Sequence, residues 1–383
     1  MHKKFFILGA IPIYAKVFAS LFPYATIPLP NLCIRLRDAV NFCVDSIIPS
    51  RFSFQAKNDT KIMSEKPIDL SIIVVAYGIK ELIEKCFTAV MNSTDNLNKE
   101  IIYVDNGSTD DSVEMVREKF PEVIVIESPV NLGFTRANNL GYTKVQGKYV
   151  LLLNADAFVG KETLQKTYDF MEQNPDCGVV GCRLIGRDGQ LQPSARYFPT
   201  PWRIFLANID KTNPSISFLK GVDDMQQDHN RVLECDWVPG CYLLTRKKVI
   251  DELDFFLRHE LFFYYDDADF CLRVKKQGWK VIFYPEEIIH LGGGNAEKLA
   301  KLTDKSRQIA AYNLEAGYIY FRHNYNLFYV LSNYFFIVFL ASMKSLKKVL
   351  LFKKLDDVRA SWGYVALASS ILIKTRFGKI PIH

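Results

Sequence analysis

Between Ser71 and Asn174 short apolar runs alternate with longer stretches in which apolar residues recur every three or four positions. Ser71–Ala76 (SIIVVA) is an unbroken, largely β-branched run, the pattern of a strand covered on both faces. Further strands are predicted at Glu100–Val104, Val123–Ile126 and Tyr149–Leu153, with another stretch at Val281–Ile289. Helical spacing appears over Lys80–Met91, where Leu82, Cys86, Phe87 and Val90 share a side. It recurs over Ser108–Phe120 (Val113, Val116 and Phe120), Arg136–Val145 and Lys161–Asn174. This rhythm predicts βαβ units: an α/β domain over residues 68–311 with a mainly parallel central sheet flanked by helices.

The two ends differ from this centre. Lys3 and Lys4 followed by Phe5–Ala15 look like the start of a signal peptide, yet Lys16 interrupts the apolar run and no A-x-A site follows. Residues 1–67 are therefore an N-terminal extension with several readings open: a signal peptide, a membrane-contacting segment, a poorly ordered tail, or an upstream extension if translation starts at Met63. Residues 312–383 form a helical, basic and aromatic region. Tyr325–Met343 has no charged residue, and Lys344, Lys347, Lys348, Lys353 and Lys354 follow, interleaved with Leu346, Val349, Leu350, Leu351 and Phe352. A spanning helix needs about 20 apolar residues. A basic amphipathic helix on an anionic leaflet fits the pattern equally, as does a buried helix with a solvated basic face.

Composition narrows the function classes. Of 383 residues, 49% are hydrophobic and 23% charged, which excludes wholesale disorder. The formal charge of +6 is too small to argue for nucleic acid, and it is concentrated: Lys344–His383 holds nine Lys/Arg against two Asp. Eight cysteines without a C-x-x-C pair, most within apolar runs, read as buried free thiols and favour a reducing compartment.

In an open α/β sheet, ligands bind at the carboxyl ends of the strands. The second predicted strand ends Asp105-Asn106-Gly107-Ser108-Thr109-Asp110. Asp105 there is placed to accept from a ribose hydroxyl or a base N–H, while Ser108 or Asp110 is a candidate helix cap. The fourth ends Asn154-Ala155-Asp156. A carboxylate at the mouth of a buried strand caps the next helix, pairs, or binds metal. Mg²⁺ and Mn²⁺ use carboxylates together with substrate phosphates. Neither G-x-G-x-x-G nor G-x-x-x-x-G-K-[ST] occurs, so a nicotinamide or P-loop phosphate cradle is not expected. Tyr264-Tyr265-Asp266-Asp267-Ala268-Asp269 packs three carboxylates into four residues. Crowding raises at least one of their pKa values and makes a general base available, although acidic residues also suit a helix N-terminus with Asp266 or Asp267 as the cap. His290 precedes Gly292-Gly293-Gly294 and is a candidate metal ligand or a satisfied polar residue.

Taken in order and spacing, SIIVVAY (71–77), IIYVDNGSTDDS (101–112), NLGFTRANNLG (131–141), GKYVLLLNADAF (147–158), DWVPGCYLLTR (236–246), FFYYDDADFCLRVKKQGW (262–279) and the His290–Gly294 segment resemble family 2 glycosyltransferases of the GT-A fold, the rhamnosyltransferase-like branch in particular. The likeness runs from about Asp69 to Gly294. It implies a nucleotide-diphospho-sugar transferase fold and inverting, metal-dependent transfer of one sugar, rhamnose or a hexose, to a cell-surface glycan precursor. It also implies residue roles. Ala76, Tyr77, Asp105, Asn138, Asn154 and Asp156 would border the donor. Asp156 and His290 would hold Mg²⁺ or Mn²⁺, and Asp267 would be the catalytic base. Trp237, Gly240, Asp266 and Asp269 would lie on the acceptor side. The implied partners are a dTDP- or UDP-linked donor, a glycan or lipid-linked glycan acceptor and the membrane surface, at the cytoplasmic face of the cell membrane.

Departures from the family pattern are visible. Phe256-Leu257-Arg258-His259-Glu260 stands where relatives carry G-G-F-D-E, which touches acceptor recognition, and the Q-x-x-R-W signature of processive synthases is absent. Two alternatives share the carboxylates: a nucleotidyltransferase, for which Tyr77-Gly78-Ile79-Lys80 is a poor phosphate loop, and a catalytically silent sugar-nucleotide-binding protein.

Overall fold

In the computed structural model, residues 66–210, 222–223, 225, 227–292, 305–350 and 355–382 are described. The expectations for residues 1–65, for Gly293 and Gly294, and for Lys353 and Lys354 fall outside them. The sheet is built from β1 (Leu70–Ala76), β2 (Lys99–Asp105), β3 (Ile124–Glu127), β4 (Tyr149–Leu153), β5 (Ala157–Val159), β6 (Cys177–Ile185), β7 (Leu191–Gln192), β8 (Leu233–Glu234), β9 (Tyr242–Arg246) and β10 (Lys280–His290). Its order is β3-β2-β1-β4-β9-β6-β10-β5, with β7 beside β6 and β8 beside β10. Strands β1 to β4, β6 and β10 run in one direction, and β5, β7, β8 and β9 run against them.

The period-2 geometry of a strand explains why the apolar runs are continuous. In β1, Ile73 and Val75 enter one core while Leu70, Ile72, Val74 and Ala76 enter the core on the opposite face. Strands β2 and β4 divide in the same way: Ile102, Val104, Val150 and Leu152 against Ile101, Tyr103, Tyr149, Leu151 and Leu153.

Helices α1 (Lys80–Met91), α2 (Ser112–Lys119), α3 (Gly133–Tyr142) and α4 (Thr163–Gln173) fill the crossovers. The boundaries of α1 and β4 are those that periodicity predicts. Helix α2 begins at Ser112, four residues after the predicted start, because Ser108 is engaged in the loop: its Oγ accepts from Gly78 N–H at 2.8 Å. Helix α3 begins at Gly133 instead of Arg136. Gly133 sits at φ +78°, and a Cβ there would lie 2.6 Å from the Phe262 carbonyl oxygen, so the close approach needs glycine.

Later helices are α5 (Pro201–Asp210), α6 (Lys247–Asp251), α7 (Asp266–Lys276), α8 (Lys305–Asn324), α9 (Leu327–Leu350) and α10 (Leu355–Lys374). The expected boundary at 311/312 falls inside α8. Leu314, Tyr318, Tyr320 and Phe321 of α8, Val330 of α9 and Ala368, Ile371 and Leu372 of α10 share the core that holds Ile73, Leu152 and Phe270. Residues 64–383 accordingly belong to one compact unit, and the C-terminal helices are part of the sheet's own packing. The six cysteines among the described residues are buried and free.

Candidate active site

A cleft of about 460 Å³ opens beside the carboxyl end of β4. Asn154, Trp237, Gly240, Asp266, Asp267 and His290 line it, all named from the sequence. Arg196, Phe134, Ile204, Asn208 and Tyr264 also line it and were not named.

The acidic cluster reaches the cleft through a docked loop. Asn106 ties the loop before α3 to β2: its Oδ1 accepts from Leu132 N–H (2.8 Å) and its Nδ2 donates to Gly133 O (3.2 Å). Helix α3 then grips the segment ahead of α7. Asn139 Nδ2 donates to Leu257 O (2.8 Å), Thr135 Oγ1 donates to Leu261 O, and Phe134 N–H donates to Phe262 O (2.9 Å). The loop Phe256–Glu260, where the family pattern is broken, is thereby held on α3 and contributes no lining residue to the cleft.

Tyr264 and Tyr265 follow at φ +73° and +61°. Two successive left-handed residues cost about 1–2 kcal/mol each, and such strain tends to accompany functional sites. Here it turns the chain sharply into α7, with Tyr265 packed on Tyr320 of α8 at 5.2 Å. Tyr265, not Asp266 or Asp267, is the N-cap, and its side chain makes no capping bond. Both stand in the first turn, where the helix dipole favours negative charge.

Their environments differ. Asp267 is half-buried, with Oδ1 accepting from Ala268 N–H (2.8 Å) and Oδ2 from Gly240 N–H (3.2 Å). Burial raises its pKa, while the Arg196 charge and these N–H groups pull the other way. Asp266 is buried, and burial together with the adjacent Asp267 charge raises its pKa well above the carboxylate range. Two neighbouring carboxylates cannot both ionise cheaply. The pair therefore resists double ionisation, with Asp266 the more strongly raised and Asp267 lining the cleft.

Asp269, expected on the acceptor side, has a different environment. It is fully buried, with Oδ1 accepting from Arg258 Nε (3.0 Å) and Asn324 Nδ2 (2.7 Å), and Oδ2 from Arg273 Nε (2.9 Å). Burial alone would raise its pKa, but Arg273 and Arg258 outweigh it and hold the carboxyl below its ordinary range. Asp269 is a knot joining α7, the 256–260 loop and the end of α8, and it does not line the cleft.

Asp156 and His290 meet through strand pairing. The antiparallel register of β5 and β10 sets Ala157 opposite His290, which leaves Asp156 Oδ1 3.6 Å from His290 Nε2. A short strand, not a helix, follows Asp156, so the capping alternative falls away. Gln192, carried by β7, clamps the ring: its Nε2 donates to His290 O (3.0 Å) and its Oε1 lies 2.8 Å from His290 Nδ1. An amide nitrogen that donates to a carbonyl leaves only its oxygen for the ring. Nδ1 therefore donates to Gln192, and Nε2 is the ring atom that faces Asp156.

Of the remaining predicted donor residues, Ala76, Tyr77 and Asp105 lie at the β1 and β2 ends and Asn138 in α3, and none of the four lines the cleft. Ala76 pairs with Asp105 across the two strands, and Tyr77 follows half-buried. Asp105 is buried and accepts from Tyr103 Oη (3.0 Å) and Ser108 N–H (3.1 Å), so it shapes the turn as well as facing the strand ends. Asn138 is buried, and its Nδ2 donates to Phe134 O within α3 (2.8 Å). Trp237 is fixed by Nε1 donating to Tyr197 O (2.8 Å) and by the Arg196 guanidinium 4.1 Å from its ring centre. Arg196, held by Asp223 at 2.6 Å, is the cation that reaches Asp267 electrostatically. No spacing in the sequence connects it to a carboxylate so distant along the chain.

A mainly parallel sheet with ionisable groups near its strand ends defines an α/β domain whose candidate site lies where such sheets bind ligands. Residues 71–252 match the family model for glycosyl transferase family 2, and this segment is a glycosyl transferase family 2 domain. The acidic cluster and His290 lie beyond the matched segment. The chain is similar to a poly(ribitol-phosphate) beta-glucosyltransferase of Bacillus spizizenii, 30% identical over 157 residues, 40% of this chain and 24% of that protein. It is also similar to an N-acetylglucosaminyl-diphospho-decaprenol L-rhamnosyltransferase of Mycobacterium tuberculosis, 24% identical over 237 residues, 58% of this chain and 75% of that protein. The match spans only 24% and 43% of the Bacillus protein and of an uncharacterized Haemophilus influenzae glycosyltransferase, respectively. Among solved structures it is similar to the mannosyltransferase PcManGT from Pyrobaculum calidifontis, in complex with GDP-Man and Mn²⁺. The TM-score is 0.45 at 16% identity, covering 82% of this chain and 89% of that one.

Proposed function

We propose that the protein transfers a single sugar, rhamnose or a hexose, from a dTDP- or UDP-linked donor to a hydroxyl of a lipid-linked glycan precursor, with inversion, at the cytoplasmic face of the membrane. The observation that carries the reading is Asp267: a carboxylate lining the cleft, raised in pKa by burial, with the buried Asp266 carboxyl beside it. Such a group takes the proton from an acceptor hydroxyl as that oxygen attacks the anomeric carbon from the face opposite the leaving diphosphate. Gly240 N–H and Ala268 N–H orient its two oxygens. Trp237 and Arg196 wall the acceptor side.

Asp156 and His290 fit a divalent cation, because a carboxylate oxygen and an imidazole nitrogen, both ligand types for Mn²⁺ or Mg²⁺ sites, lie 3.6 Å apart. Among the described residues no group of three or more His, Cys, Asp or Glu side chains is placed to hold a metal ion. Mg²⁺ or Mn²⁺ would therefore complete its shell with donor phosphate and water. When bound, the cation supplies charge neutralisation on the diphosphate leaving group.

Thermal unfolding with UDP, dTDP and GDP, each with and without Mn²⁺, tests the donor site. A nucleotide at about 100 times its Kd adds about 2.7 kcal/mol of stability, and Asp156→Ala should abolish the metal-dependent part. Asp267→Asn should keep the nucleotide shift and lose turnover by about 10²- to 10⁴-fold. Nucleotide binding without donor turnover in the wild type would instead identify a silent binding protein.

A further inference from the structure

Helix α9 is long and apolar enough to cross a bilayer, yet its faces are unequal. Val330, Asn333 and Ala341 are buried, Tyr334 Oη hydrogen-bonds Ser369 Oγ of α10 (2.8 Å), and Phe336 stacks on Phe205 of α5 at 4.6 Å. The other face is bare. Phe328, Leu331, Phe335, Phe339, Leu346 and Leu350 are between 42% and 73% exposed. At 3.6 residues per turn these positions fall within an arc of about 100°, and the helix is about 36 Å long. A continuous apolar stripe of that extent marks an interaction surface.

We infer that this stripe is the surface on which the protein rests on an anionic bilayer, with α9 lying in the plane of one leaflet, and that the acceptor reaches the cleft from that surface along α5. The second part rests on the functional reading above. Two observations select the lipid and the orientation. Exposed Lys347, which flanks the stripe on α9, and exposed Lys374, Arg376 and Lys379 beside exposed Ile373 and Phe377 at the end of α10, suit anionic headgroups. Held between two copies of this chain, the same cations would repel. Helix α5 has one face on α9, through Phe205, and another on the polar cleft, through Ile204 and Asn208. A helix that lines an aqueous site cannot be sunk in hydrocarbon, so its partner α9 lies no deeper than the interface. Trp202, 54% exposed and 5.9 Å from Phe336, stands at the junction, the level at which tryptophan anchors proteins to membranes.

The test is co-sedimentation of the full chain with phosphatidylcholine vesicles, with and without phosphatidylglycerol. The wild type should partition onto the anionic vesicles, and the triple variant Phe328→Ser/Phe335→Ser/Leu346→Ser should lose at least tenfold in partition. Should the triple variant fold poorly, quenching of tryptophan fluorescence by bromolipids, present in the wild type and reduced in Trp202→Phe, reads the same surface. Three outcomes overturn the inference: no vesicle binding by the wild type, retention in the membrane pellet through alkaline carbonate extraction, or a dimer that the triple variant abolishes while vesicle binding is unchanged. Nucleotide-induced stabilisation in the absence of lipid should be the same in wild type and triple variant. If vesicle binding fails while that stabilisation stands, the fault lies with the surface. If the stabilisation is absent while vesicles bind, it lies with the transferase reading.

Discussion

Replacing Asp269 by asparagine separates two roles for the third carboxylate of the acidic cluster. Asparagine keeps the volume and one acceptor but removes the charge that neutralises Arg258 and Arg273, whose side chains are only 11% and 12% exposed. Breaking a buried pair from one side costs about 3–5 kcal/mol, because the orphaned charge stays buried. The retained amide acceptor puts the expected loss near the lower end, about 3 kcal/mol. At about 2–4 °C per kcal/mol for a domain of about this size, the midpoint should fall by roughly 6–12 °C. The pKa of Asp269 is depressed by its arginines, so its contribution is present above the ordinary carboxylate pKa and is lost only as pH falls through the lower folded value. The gap between wild type and variant should therefore be constant from neutral pH down to about pH 4 and close below that. Differential scanning fluorimetry over this range measures it. Adding Arg258→Met to Asp269→Asn should recover part of the loss by removing one orphaned charge. A variant that melts within about 1 °C of wild type and shows a raised acceptor KM would refute the reasoning and return Asp269 to the acceptor pocket.

Two further expectations concern neighbouring groups. Gln192→Ala frees the His290 ring and should weaken Mn²⁺ binding, read by electron paramagnetic resonance titration, by about 10- to 100-fold; unchanged affinity would mean that the amide does not set the ring. The pKa of Asp266 is raised by burial, so folding requires it to take up a proton above the unfolded pKa of about 3.9, at a cost of about 1.4 kcal/mol per pH unit until the folded pKa is reached. Asp266→Asn removes that requirement, and its stability advantage over wild type should widen as pH rises from about 4, whereas a pH-independent difference would show that Asp266 is ionised in the fold.

Removing residues 325–383 would not isolate a membrane-anchoring role of the C-terminal region. The packing argues against so large a deletion. Val330, Ala368, Ile371 and Leu372 are buried in the same core as the sheet, so truncation would strip the catalytic unit of part of its interior. Point changes on the exposed stripe leave that core intact.

Local pattern was enough to recover β1, α1, β4 and the alternation that makes the sheet parallel, because strand and helix periods are properties of neighbouring residues. Strand ends could be located in the same way, and with them Asp105, Asn154 and Asp156. The dense acidic run announced α7, although the cap fell on Tyr265 because its left-handed backbone, set by packing on α8, is invisible in a string of residue types. Other decisions needed distant chain. Antiparallel pairing of β5 with β10 brought Asp156 to His290, and β7 supplied the glutamine that orients it. Two arginines claimed Asp269 and withdrew it from the cleft, while Arg196, with no local signature, entered it. The C-terminal sequence carried enough apolar length to contact a membrane. Only the burial of one face of α9 against α5 and α10 divided that length into a core side and a bare stripe, since a helix has no preferred side until something packs against it.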